Sequence, residues 1–255
     1  EAELQATAAQ LRQLHWQAQA DGGLGFVTVG DFALYDSTRP VPPQRSGSSK
    51  TTGQVAALTS SQMAGLSTAD LTALTTGQFA VLTSGQVGAL TSAQIAAMET
   101  ADLGALTTSS LRAIAPASLA GLGSAQIQGL TTTQFAALTS AQIAGLTTDQ
   151  VSTLETADLA ALTNAQITAL NTADIAALGS DHVVALTTTQ FAALKTDQVA
   201  AIESGDFAAI ETADLRAIGT TALRALGTDQ LAALGSDQIV ALTTAQVGAL
   251  TTDQI

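Results

Sequence analysis

The chain has 255 residues, 3% aromatic and 11% charged, no cysteine and a formal net charge of −13. A core built from so few aromatics must be made of small aliphatics, which suits thin regular layers better than a thick irregular globule. Residues 51–255 carry 16 acids against four bases, Arg112, Lys195, Arg216 and Arg224. Such a surface repels phosphate backbones and anionic lipid, and the lack of thiols excludes disulfides and thiolate metal sites.

In chain order, residues 1–20 place Leu4, Ala8, Leu11 and His15 on one face and are expected to form a helix, stopped by Gly22 and Gly23. Residues 24–35, LGFVTVGDFALY, are β-branched and aromatic and read as a strand or short hairpin. Residues 36–50 hold three of the four prolines and a Ser/Gly tail, the composition of an arm or linker; 21–50 is thus a β-like segment with an arm. Trp16, Phe26, Phe32 and Tyr35 are the candidate assembly contacts of this non-repetitive region.

From Thr51 an eight-residue pattern, T-T-x-Q-h-A-A-L with h apolar, runs without insertion to Ile255. The eighth place is Leu, Ile or Met in all 25 complete copies and the fifth is apolar in all 26. The second is Ser or Thr in 24 of 26, with Pro116 and Asn164 as exceptions, and the fourth is Gln in 16 and Asp in six. A loop would tolerate insertions, so every place is geometrically constrained. A longer period lies above it: Phe79, Phe135 and Phe191 recur every seven octads, as does E-T-A-D-L at Glu99, Glu155 and Glu211. The super-repeats are 75–130, 131–186 and 187–242. Tandem duplication explains them simply; a sharper reading is that the seven-octad block equals a whole number of solenoid turns or a subunit spacing.

The fifth and eighth places are three apart, which puts them on one face of a helix and on opposite faces of a strand. A continuous helix fails, because eight residues turn it by about 800° and the apolar stripe drifts by about 80° per octad. The helix must break in every octad, and the first place supplies an N-cap, with Thr131–Gln134 and Thr147–Gln150 at capping-box spacing. The expected fold is therefore all-α: a solenoid of very short capped helices, one per octad. Helices this short do not offset the cost of nucleation alone and survive by stacking. The expected core over one stretch is Leu130, Phe135, Leu138, Ile143, Leu146, Val151, Leu154, Leu159 and Leu162. The alternative is a β-solenoid with Thr ladders, against which stand the period of eight and the weak strand preference of Ala and Leu.

The octads resemble the TxxQ[IVL]xAL arrays of large surface or secreted, adhesin-like proteins of proteobacteria. The resemblance covers 51–255. It implies an extracellular or cell-surface structural role in a bacterium and brings no catalytic residue.

Chemistry is hard to find. His182 replaces Gln in GSDHVVAL and reads as drift at a polar cap; His15 beside Trp16 reads as a packed helix face. Repeated Asp and Glu share one environment, whereas acid–base catalysis needs two different ones, so they read as caps and solvated charge. Calcium-loop, P-loop and nucleophile-elbow motifs are absent, leaving weak divalent-cation binding at the surface as the only metal expectation. The Phe column reads as core, and Arg112, Arg216 and Arg224, at the sixth place, are expected to face outward. No catalytic, cofactor or metal residue is assigned and no enzyme activity is expected. Glu1 and a last octad cut at Ile255 suggest a piece of something longer. The expected function is an extracellular rod, filament or sheath built by self-association, with no nucleic-acid partner and no transmembrane segment. The alternatives are a stalk or spacer of a surface adhesin and, more distantly, a Thr-rich ice-binding solenoid.

Overall fold

A computed structural model describes residues 50–255; the expected N-terminal helix, the β-like segment, His15 and the four aromatic assembly contacts lie outside the described residues. Among the described residues there are 25 helices and no strand, which removes the β-solenoid alternative. The physical reason lies in the octad itself. Each first place sits in extended backbone, as Thr147 does at φ −81° and ψ 156°, and its carbonyl accepts from the fifth-place N–H, Val151 to Thr147 at 2.9 Å. One turn of helix follows, four to six residues long, such as Thr148–Ser152 or Thr132–Ala137. The eighth place then returns to extended backbone, as at Leu162 with φ −65° and ψ 142°, and redirects the chain into the next cap. A helix broken at this interval cannot drift its apolar face away from the core.

The fifth and eighth places fill that core. Phe135, Ile143, Val151 and Leu159 are fully buried, and Leu130, Leu138, Leu146, Leu154 and Leu162 nearly so. Phe79, Phe191 and Phe207 lie in the same core. Arg112, Arg216 and Arg224 are exposed. Each helix packs on the helix three octads away: Thr132–Ala137 lies against Thr108–Leu111 on one side and Thr156–Ala161 on the other.

The turn length follows from hydrogen bonds between turns. The amide of Gln134 reaches the carbonyl of Leu106, 28 residues earlier, and every fourth-place Gln from Gln78 to Gln254 repeats that offset. That offset is three and a half octads, so an octad sits over the junction between two octads of the turn before. Seven octads complete two turns. The seven-octad super-repeat of the sequence is thus two turns of the solenoid, and residues seven octads apart lie above one another.

Candidate functional site

Nothing among the described residues has the form of a catalytic or metal centre. No group of three His, Cys, Asp or Glu is placed to hold a metal ion, and no helix is long and apolar enough to cross a membrane. The recurrent polar device is the fourth place, and it is built the same way around the array.

Take Gln150. Its Oε1 accepts from the Thr147 N–H at 2.9 Å, and its own N–H donates to the Thr147 hydroxyl at 3.2 Å, which closes the capping box. The same side chain then uses its other end. Its Nε2 donates to the carbonyls of Leu119 at 3.0 Å and Leu122 at 2.7 Å, on the turn before. Gln134 does the same from the Thr131 cap, donating to Leu103 at 3.1 Å and Leu106 at 2.8 Å. Both glutamines are buried, so these four bonds satisfy polar groups that water cannot reach. A primary amide is the side chain with an acceptor and a two-proton donor on one rigid plane. The capping half of this role was legible in the T-x-x-Q spacing. The cross-turn half was not, because its acceptors are backbone atoms of the turn before and leave no residue-type signature. Invariance of the register was the only available signal.

Substitutions at the fourth place show what the device needs. His182 keeps both ends: Gly179 N–H lies 3.3 Å from Nδ1, and Nε2 lies 2.7 Å from the Leu154 carbonyl. A carbonyl only accepts and an N–H only donates, so in these contacts Nδ1 takes the accepting role and Nε2 the donating one. His182 is thus more than a polar cap; it performs the glutamine's two tasks. Ser110 reaches the Leu82 carbonyl at 2.7 Å with its hydroxyl. Asp cannot donate when ionised and reverses the contact. Asp102, Asp174 and Asp214 accept from the hydroxyls of Thr76, Thr148 and Thr188 on the turn before, at 2.9, 3.1 and 2.6 Å. Asp102, Asp158, Asp174 and Asp214 are buried, which corrects for these four the expectation of solvated charge; Glu99, Glu155 and Glu211 are exposed, as that expectation has them. Burial raises the carboxyls of Asp102 and Asp158 above their ordinary value; the Thr76 and Thr132 hydroxyls pull them back and the charges of Glu99 and Glu155 raise them further.

Comparison with known proteins agrees with a repeat array. A family model described as the ALTTAQ repeat matches residues 63–100, 95–132, 120–156, 151–188 and 207–244, well over half of the chain. Short segments also match 5-methyltetrahydropteroyltriglutamate–homocysteine methyltransferases. The enzyme of Ralstonia pickettii is 59% identical over 39 residues, 15% of this chain and 5% of the enzyme. That of Paraburkholderia xenovorans is 45% identical over 62 residues, 22% of this chain and 8% of the enzyme. That of Aliivibrio fischeri is 59% identical over 34 residues, 13% and 4%. The chain spans less than a tenth of the length of these curated relatives.

Proposed function

We propose, from the premise that this chain belongs to the ALTTAQ repeat family, that it is a structural protein without catalytic activity: an extracellular bacterial rod that self-associates into filaments. The observation that carries this reading is the fourth-place amide ladder. The buried polar chemistry of the array goes into fastening one turn to the next, and the same fastening repeats turn after turn. A fold in which each repeat contacts only near neighbours lengthens without redesign, which suits a rod. Short segments shared with a much longer methyltransferase carry no assembled active site to this chain. The threonine rows lend little to ice binding, because first-place hydroxyls such as those of Thr131 and Thr147 are engaged as caps.

Electron microscopy of the purified native protein, from dilute to concentrated, tests the reading. Ordered fibres with a constant axial repeat support filament assembly. Slender single rods at every concentration overturn it and leave the adhesin stalk, in which the array only spaces a binding module. Antibody labelling of intact cells tests the location: signal that appears only after lysis overturns an extracellular role.

A further inference from the structure

The ladder is interrupted most completely at one place. Gln198 and Gln230 both donate to the carbonyl three and a half octads earlier, at 2.9 and 2.6 Å. Between them stand three consecutive octads, 203–210, 211–218 and 219–226, whose fourth places are Asp206, Asp214 and Ala222. None of the three carries an amide, so the carbonyls of Leu178, Leu186 and Leu194 lose the donor that their counterparts receive. The three octads amount to most of one turn.

The same octads lack the other fastening. The helices Ser204–Phe207, Thr212–Ala217 and Thr220–Arg224 begin at Glu203, Glu211 and Gly219, and none has a side-chain hydrogen bond at its N-cap. The links that remain to the turn before are two hydroxyl-to-carboxylate bonds, Ser180 to Asp206 at 2.5 Å and Thr188 to Asp214 at 2.6 Å, whereas on the following turn Gln238, Gln246 and Gln254 still donate to Ile210, Ile218 and Leu226. The apolar core is unchanged, with Phe207, Leu215 and Leu223 fully buried. The sequence therefore keeps hydrophobic stacking here and, towards the turn before, removes the amide ladder from three octads in succession that also lack side-chain caps. Elsewhere between Gln78 and Gln254, octads without a cross-turn donor come singly.

We propose that residues 203–226, whose helices pack on Ser180–Ala185, Thr188–Ala193 and Thr196–Ala201 of the turn before, form a compliant joint at which successive turns of the solenoid part before the rest of the array. Hydrophobic contact is non-directional and tolerates sliding and bending, whereas the ladder fixes register. An interface between turns held mainly by the former opens and flexes while the interfaces on either side stay locked. The joint divides the array into a well-fastened body on its N-terminal side and a shorter segment that moves against it.

Hydrogen–deuterium exchange of the whole chain, read by mass spectrometry and corrected for intrinsic rates, tests this directly. Amides of 203–226 are expected to exchange about tenfold faster than those of 131–154, since local opening reports local fastening. The triple variant Asp206→Gln/Asp214→Gln/Ala222→Gln restores the ladder and should bring the two regions to parity. The double variant Asp206→Asn/Asp214→Asn removes charge without reaching the carbonyls, and should leave exchange fast. Equal exchange along the wild-type array overturns the proposal. So does a triple glutamine variant that exchanges as fast as wild type, or an asparagine variant that slows to parity by loss of charge alone.

Discussion

At the scale of the residue, fourth-place glutamine decides how the turns are held. Replacing Gln150 by Ala removes the acceptor for Thr147 N–H and the donor for the Leu122 carbonyl in a buried site. The expected loss is roughly 2–4 kcal/mol, measured by urea denaturation. Gln150→Glu separates the two halves of the role. The carboxylate still accepts from the cap but cannot donate to Leu119 and Leu122, so this variant should be weaker at pH 7 and recover on acidification as the protonated acid regains a donor. A pH-independent loss would show that the cross-turn bonds contribute nothing. The buried aspartates give the complementary test. Asp102 and Asp158 have carboxyls raised from 3.8, chiefly by burial, so the folded chain holds their protons more tightly than the unfolded chain does. Their contribution to stability is therefore greatest below pH 3.8 and is lost as pH rises through the raised folded value. Asp102→Asn/Asp158→Asn should be more stable than wild type at pH 7, with the gain shrinking towards pH 4. An undiminished gain at pH 4 would rule the linkage out.

At the scale of the element, the sequence was most readable where physics is local. The cap at the first place, the single helical turn and the inward fifth and eighth places all follow from spacings of three within one octad. Those features could be assigned to Thr147, Val151 and Leu154 without knowing what lay beside them. What could not be assigned was anything that depends on the next turn. Gly145 and Pro116 illustrate it. A β-carbon on Gly145 would meet the Pro116 Cβ at 3.1 Å, although the two belong to successive turns. Pro116 is comfortable as a first helical residue, and its Cβ is fixed by the backbone, so no side-chain rotation can move it away. Gly145→Ala alone should therefore destabilise by about 1 kcal/mol, despite the better helix propensity of Ala. In a Pro116→Gly background, where that Cβ is gone, the same change should cost markedly less. Thermal denaturation of the two single variants and the double completes the cycle, and additive effects would mean that the two residues do not touch.

At the scale of the whole array, the two periods make different demands. The core and the caps need the octad phase, and a turn needs three and a half octads, which is not a whole number. The shortest length that respects both is seven octads, the length of the repeated block. Recurrence of Phe79, Phe135 and Phe191 at that interval is consequently a vertical alignment in the core. The interval itself was plain in the sequence, but its meaning required the cross-turn hydrogen bonds. Deletions can separate the two demands. Removing 131–186 takes out two whole turns, joins Leu130 to Thr187 and leaves every later octad in phase and in azimuth. The shortened chain should keep its helical signal per residue and melt within roughly 5 °C of the parent. Removing 131–158 takes out one whole turn but joins Leu130 to Leu159, which inserts half an octad. The caps and carbonyls then fall half a repeat out of step, and the chain on either side can fold only as separate stacks. That variant should lose the single melting transition or lower it by more than about 10 °C. If both deletions melt alike, octad phase is not what couples the turns. If both fail, the register depends on contacts outside the ladder.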